Sequence, residues 1–171
     1  VARLTAASVA VLAAEGASVE PIAPACFADV FSYYQVLATA AHATRMGAIV
    51  AQWGELITPA FRESAAIGAS WSGTDLLRAQ DRRAVLFREV QALFRRFDVL
   101  ATPTMLKPPP TVDAGGSIAT DWYAEIAAPL YPFNLTGHPA LTIPSGFATD
   151  GLPTALQIVG RWGAETDVLR L

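Results

Sequence analysis

The chain has 171 residues, of which 53% are hydrophobic and 16% are charged, and its net charge is −3. This length suffices for one domain with a substantial core, and the low charged fraction indicates either a large core or a surface that further polypeptide covers. The basic residues form no block, which excludes a nucleic-acid footprint, and the single cysteine, Cys26, excludes an internal disulfide and fits a reducing, cytoplasmic location.

The first part of the chain, residues 1–96, is predicted to be mainly helical with one short strand. Residues 2–15 have a helix-forming composition and stop at Gly16, a residue type that favours helix C-termini. Residues 18–22 predict a short strand, which Pro21 restricts to a sheet edge or ends early.

Three further helices are predicted before residue 97. The first spans residues 28–53, and the second is short, beginning at Thr58-Pro59 and ending near Gly68. The third runs from a cap at Thr74 to about Phe97. It carries an apolar stripe that predicts a core-facing amphipathic helix. The stripe consists of Phe87, Val90, Phe94 and Phe97.

The remaining part, residues 97–171, is predicted to contain a strand, a loop, a broken helix and a β-hairpin. The strand covers residues 98–102, the loop 103–120, and the helix 121–128, which the following prolines 129 and 132 bend or break. Strands over 140–147 and 154–161 flank a turn at Asp150-Gly151, the pattern of a hairpin. The predicted fold class is α/β, with a partial mixed β-sheet flanked by helices in one domain over 1–171.

Three segments of this second part occur in an order and spacing typical of one enzyme family. They are Phe97-Asp98-Val99-Leu100-Ala101-Thr102-Pro103-Thr104, Asn134-Leu135-Thr136-Gly137-His138-Pro139-Ala140, and Asp150-Gly151-Leu152-Pro153-Thr154-Ala155-Leu156-Gln157. Together they resemble the amidase-signature family, which includes amidases and the amidase-like subunits of glutamyl-tRNA(Gln) amidotransferases. Residues 16–20 resemble the strand that follows the family's signature core. Ala155 departs from the family's usual glycine.

The resemblance implies an amidohydrolase that cleaves a carboxylic amide with a Ser–cis-Ser–Lys triad. In that family a terminal serine attacks the carbonyl, and a buried neutral lysine is the base. The matching segments lie downstream of that triad, so the resemblance implies no catalytic residue here and no cofactor. Val1 is not Met, and residues 166–171 resemble the start of a helix, so both ends are predicted to be internal to a longer chain.

Alternative catalytic sites within the chain are weak. Lys107 is the only lysine and lies in a Pro-rich loop, where a solvated, charged amine is no base. Gly115-Gly116-Ser117 is followed by Ile118 where the family motif needs a second serine. Ser145, His138 and Asp150 offer the residue types of a Ser–His–Asp site without the turn that exposes a serine. Two histidines and one cysteine form no recognisable metal set.

Four polar residues within the matching segments are candidates for the wall of a substrate pocket: Thr104, Asn134, Thr136 and Gln157. Gln157 and Thr154 have opposite parity on one strand, so only one of them can face a ligand. The partners implied are a small-molecule amide and the missing N-terminal portion of the same protein. A homodimer is left open, and no nucleic acid or membrane is expected, since no apolar run reaches about 18–20 residues.

Two classes of function remain open at this stage. The first is a piece of an amidohydrolase, and the second is a non-catalytic interaction or scaffold module that retains half of the fold. Within the first class, a tRNA-dependent amidotransferase subunit is expected to carry an acidic residue at the position of Ala127, and Glu125 is two residues away. The sequence therefore favours an apolar or aromatic amide at least as much as glutamine.

Overall fold

The computed structural model describes residues 1–109 and 124–170. Its helices are α1 (Ala2–Ala14), α2 (Val30–Trp53), α3 (Pro59–Ser70), α4 (Gly73–Leu93), α5 (Tyr131–Thr136) and α6 (Glu165–Leu169), with short 3-10 turns at Ala25–Phe27 and Gly54–Leu56. Its strands are β1 (Val99–Pro103), β2 (Ala140–Phe147) and β3 (Pro153–Gly160). The predicted α/β class is confirmed, and the four helices predicted before residue 97 and the predicted hairpin are present within a few residues of their expected bounds.

The three strands form one sheet in the order β1-β3-β2. Both pairings are antiparallel, with Thr102 and Thr142 on either side of Gln157, so the predicted mixed sheet has only antiparallel pairs among the described strands. The hairpin turns at Gly151, whose φ of 79° lies in the left-handed region that glycine tolerates. The hairpin therefore forms where the Asp150-Gly151 pattern predicts it.

The sheet separates two apolar clusters, because successive side chains of a strand point to opposite faces. Leu156 and Ile158 pack with Val168 of α6 on one face, where residues of α1 cover them. Val159 packs on the other face with Leu100, and this larger cluster includes the buried side chains of α2, α4 and α5. The sheet is therefore enclosed on both faces along β3.

Helix α4 begins close to the predicted cap but uses a different residue for it. Ser72 is the N-cap: its hydroxyl accepts a hydrogen bond from the Asp75 N–H at 3.1 Å, and the Asp75 carboxylate accepts one from the Ser72 N–H at 3.0 Å. This reciprocal capping box satisfies two helix-end donors at once, so it replaces the predicted cap at Thr74. Thr58 precedes α3 as predicted, but its side chain makes no cap hydrogen bond.

The strand predicted over residues 18–22 is wrong. These residues have no strand assignment and are exposed, and Glu20 forms a surface ion pair with Arg96 at 2.8 Å. A strand requires a neighbour that shares its hydrogen bonds, and none of the three described strands pairs with this segment. The first part of the chain is therefore helical without a strand among its described residues.

The predicted broken helix lies partly outside the described residues, which resume at residue 124. Residues 124–126 are helical, and the chain then turns before α5 begins at Tyr131. Pro132 lies in the first turn of α5, where the missing N–H removes no helical hydrogen bond. No helix in the described ranges is long and apolar enough to span a bilayer.

Candidate functional site

Gln157 lies at the centre of the sheet and is 3% exposed. Its Nε2 donates to the Thr102 hydroxyl at 3.0 Å and to the Pro129 carbonyl at 3.1 Å. Both protons of the amide nitrogen are therefore used inside the chain, joining β3 to β1 and to the turn before α5. We call Thr102, Thr104, Pro129 and Gln157 the Gln157 cluster.

Thr104 is one residue beyond the end of β1 and belongs to the same edge of the cluster. Its N–H donates to the Ala155 carbonyl at 3.0 Å, so the backbone continues the β1–β3 pairing. Its Oγ1 is buried and has no hydrogen-bond partner within the described part of the chain. Such a group costs free energy unless a ligand, water or further polypeptide satisfies it.

The other two predicted residues lie on α5 and face different surroundings. Asn134 is exposed, and its side chain is hydrogen-bonded to the Tyr34 hydroxyl. Burial raises the pKa of Tyr34, and the hydrogen bond from Asn134 partly offsets that rise. Thr136 is 4% exposed and its hydroxyl is hydrogen-bonded to Nδ1 of His138 at 2.8 Å. The strand register thus places Thr104, opposite Ala155, on the same face of the sheet as Gln157, whereas Asn134 and Thr136 lie on α5, one exposed and the other buried.

His138 is buried, with 5% of its surface exposed. Its ring lies 5.2 Å from the Phe94 ring and 5.7 Å from the Phe87 ring, both close to or on α4. Its Nε2 is buried without a hydrogen-bond partner among the described residues. Burial lowers the pKa of His138 below its ordinary value of 6.5 because a charged ring would lose its hydration there.

The lowered pKa of His138 predicts that stability decreases at acidic pH. Between its folded and unfolded pKa values the unfolded chain binds more protons, so stability is full above pH 6.5 and falls as pH drops through this window. Below the folded pKa this contribution stops changing. We expect His138→Asn, which keeps a polar atom towards Thr136, to remove this slope in urea-unfolding free energies measured against pH.

The other histidine supplies a matched control for that measurement. His42 lies between α2 and α3, where its Nδ1 is hydrogen-bonded to the Ser64 hydroxyl at 2.8 Å. His42→Asn should retain the slope that His138 causes. Loss of that slope in His42→Asn and its persistence in His138→Asn would refute the assignment.

Lys107 is placed as the sequence predicts, in solvent. Its side chain is 62% exposed, and Nζ lies 3.2 Å from Oε2 of Glu125. A lysine acts as a general base only when it is neutral, which requires desolvation. Within the described ranges, neither burial nor a serine contact prepares Lys107 for that role.

The alternative Ser–His–Asp set is not assembled. Ser145 is hydrogen-bonded to the Thr154 hydroxyl at 3.0 Å, His138 to Thr136, and Asp150 accepts from the Leu152 N–H within the hairpin turn. Each of the three residues is engaged with a different partner. The Gly115-Gly116-Ser117 segment lies outside the described residues.

Cysteine and metal chemistry are also not favoured in the described part of the chain. Burial, followed by the nearby Glu89 carboxylate, raises the pKa of the Cys26 thiol, which disfavours the reactive thiolate. The described residues contain no group of three histidine, cysteine, aspartate or glutamate side chains placed to hold a metal ion.

The described residues also form open grooves outside the predicted pocket wall. One, of about 310 Å³, lies where α2, α3 and the start of α4 meet, around Trp71. Another, of about 370 Å³, lies between α4 and α5 and is lined by Arg83 and Arg88. None of the four predicted pocket residues lines either groove. The sequence pattern did not single out these arginines as site residues, because both lie on the polar side of an amphipathic helix.

Comparison with solved structures defines the fold class. A crystal structure of an amidase superposes on 98% of this chain with a TM-score of 0.81 and 24% sequence identity, and the match covers 39% of that chain. This likeness shows an amidase-type α/β fold. A family model described as Amidase matches residues 1–169, so the chain belongs to the amidase, or amidase-signature, family.

Two curated relatives show how this family match is distributed. A fatty acid amide hydrolase from Medicago truncatula is 33% identical over 114 residues, or 64% of this chain. A glutamyl-tRNA(Gln) amidotransferase subunit from Neisseria meningitidis is 36% identical over 93 residues, or 54% of this chain. Each match spans 19% of the relative's length, so the chain matches only a part of these relatives.

Proposed function

We propose that this chain forms a non-catalytic wall of an amide-cleaving centre, as the C-terminal portion of an amidase-signature hydrolase. The reactive Ser–cis-Ser–Lys groups that the family resemblance implies would come from polypeptide outside this sequence. In such a centre the terminal serine attacks the amide carbonyl while the neutral lysine takes up its proton through the middle serine. The role left to this chain is to position and enclose the substrate.

The single observation that carries the proposal is the state of Lys107. It is the only lysine in the sequence, and a Ser–cis-Ser–Lys mechanism needs a desolvated one. Lys107 instead lies in solvent at 3.2 Å from Glu125. An amidase mechanism of this type therefore needs a lysine from elsewhere.

The uncovered part of the sheet supports a role as a wall. From Ala140 to Pro144, every second residue of β2 lies on the same side of the sheet as the buried Gln157. All three of these residues are exposed: Ala140, Thr142 and Pro144. β1 and β2 are the outer strands of the described sheet, so each has one backbone edge without a ladder. We propose that further polypeptide covers this face and continues this sheet.

Among the four predicted residues, we propose Thr104 and Asn134 as the ones that contact the substrate or further polypeptide. Thr104 retains a buried hydroxyl that no described residue engages, and Asn134 is exposed. Gln157 is held by Thr102 and Pro129, and Thr136 is hydrogen-bonded to His138, so we assign both side chains a structural role. In this assignment Thr104 would accept or donate one hydrogen bond to the substrate or to the polypeptide that covers it.

The proposed substrate is an amide with an apolar or aromatic group rather than glutamine. Ala127, at the position where a tRNA-dependent amidotransferase is expected to carry an acid, is 3% exposed and belongs to the apolar cluster. The nearby Glu125 carboxylate is 70% exposed and paired with Lys107. A glutamine-reading carboxylate would have to come from another part of the protein.

The proposal predicts that the purified 171-residue chain does not hydrolyse amides. With 4-nitroacetanilide as substrate, release of 4-nitroaniline should equal that of buffer and of Lys107→Ala, because no activated nucleophile is present. A parallel assay of ammonia release from glutamine should give the same result. Turnover that disappears in Lys107→Ala or Ser117→Ala would overturn the proposal.

A further inference from the structure

The groove between α4 and α5 has a positively charged rim. It has a volume of about 370 Å³, and no acidic side chain of the described residues lines it. The lining residues are Gln80, Arg83, Ala84, Phe87, Arg88 and Leu135. On a chain with a net charge of −3, this groove is a local concentration of positive charge.

The guanidinium group of Arg83 is held in place by the backbone of α5. Its Nε donates to the Leu135 carbonyl at 2.6 Å, which uses one of five N–H groups. The remaining four N–H groups, on the two Nη atoms, keep a fixed fork geometry that matches a carboxylate. Arg83 has no ion pair among the described residues, whereas its neighbour Arg82 pairs with Asp29 at 3.1 Å.

Arg88 adds a second uncompensated charge to the same groove. It lies one helical turn beyond Ala84 and is exposed, and no described carboxylate lies within ion-pair distance of it. Two unpaired guanidinium groups beside one groove attract an anion more strongly than either does alone.

The floor of the groove is apolar. Leu135 is 7% exposed, and the Phe87 ring is fixed by an edge-on contact with Trp162 at 5.9 Å between ring centroids. A phosphate ion has no apolar surface to bury against this floor. A carboxylic acid with an apolar body can contact both the apolar floor and the arginine rim. The volume lies near the lower end of the about 300–1,000 Å³ usual for ligand pockets, which suits a small ligand.

We propose that this groove binds a small organic carboxylate with an apolar or aromatic body. The carboxylate pairs with Arg83 and Arg88, and the body lies against Phe87 and Leu135. Such acids are the class of compound that amide hydrolysis releases. The binding nevertheless follows from the groove alone and does not depend on the proposed function.

Titration calorimetry of the full chain with sodium benzoate tests this proposal. At constant ionic strength, benzoate should bind, while benzamide, which has the same ring and no charge, should bind at least about tenfold more weakly. Inorganic phosphate should also bind more weakly than benzoate. Absence of benzoate binding, or equal binding of benzamide or phosphate, would overturn the proposal.

Three exposed substitutions locate the site. Arg88→Gln should weaken benzoate binding about tenfold, and Ala84→Leu should abolish it by filling the groove without changing its charge. Arg78→Gln, on the same helix and outside the lining, is the matched control and should bind benzoate normally. Unchanged thermal unfolding of each variant excludes misfolding. Equal weakening by Arg78→Gln, or normal binding of benzoate by Ala84→Leu, would refute the site. Neither result bears on the amide-hydrolysis assay, so this proposal and the proposed function can fail separately.

Discussion

Leu86→Ala should lower the free energy of unfolding by about 2–5 kcal/mol. Leu86 is 2% exposed on α4 and belongs to the larger apolar cluster, together with Val90 and Phe94. Truncation removes apolar contacts and leaves a cavity that the surrounding helices and sheet fill only partly. Urea unfolding followed by circular dichroism should show a lower midpoint with an unchanged dependence on denaturant.

Leu77→Ala on the same helix is the matched control. Leu77 is 68% exposed, so the same truncation should change stability by less than about 0.5 kcal/mol. The pair therefore separates burial from helix propensity, since both changes replace leucine with alanine in one helix. Equal losses in the two variants would show that α4 does not pack with the described face inward.

Gly68→Ala should destabilise the protein by about 1–3 kcal/mol or more, because α2 and α3 approach too closely for a side chain there. A Cβ at this position would overlap the Thr39 carbonyl group and lie 2.9 Å from the Ala40 nitrogen. All of these atoms are backbone atoms, so the helices themselves must separate. That movement also strains the hydrogen bond from Trp71 Nε1 to the Thr39 hydroxyl at 2.8 Å, which tryptophan fluorescence can report.

Gly47→Ala, in the same pair of helices, should raise the stability rather than lower it. Gly47 lies inside α2, and a Cβ there meets no described atom within 4 Å. Alanine should therefore stabilise the helix by about 0.5–1 kcal/mol through its higher helix propensity. If Gly68→Ala also stabilised the protein in urea unfolding, the close packing of α2 and α3 would be wrong.

The helices and the hairpin were predictable because their signals are local. The apolar periodicity of α4 and the Asp150-Gly151 turn are contained in short windows of sequence, and the predicted bounds of β2, 140–147, agree with the structure. The Ser72 cap was also available locally, since serine followed by aspartate three residues later is a capping-box pattern. The prediction of Thr74 overlooked it.

The strand predicted over residues 18–22 failed for a reason that local pattern cannot reveal. β-branched residues beside a proline favour an extended backbone, and the segment lacks helix and strand assignments. Whether an extended segment becomes a strand depends on a partner elsewhere in the chain. The described sheet contains no such partner for these residues.

The candidate site was predictable as a set of segments but not as a set of contacts. Gln157 was identified from its motif, yet its partners Thr102 and Pro129 are 55 and 28 residues away in sequence. Arg83 is held by Leu135, which is 52 residues away. Such long-range pairs follow from packing, so the sequence alone could not assign bracing to Gln157 or an anchored guanidinium to Arg83.

The role proposed for this chain rests on its lacking an activated serine of its own. Intact-mass spectrometry after incubation with a fluorophosphonate, which modifies activated serine hydroxyls, tests this directly. The account predicts that the 171-residue chain keeps its unmodified mass. A single stoichiometric adduct on one serine, lost in Lys107→Ala, would show that the chain carries a working nucleophile and base and would contradict the account.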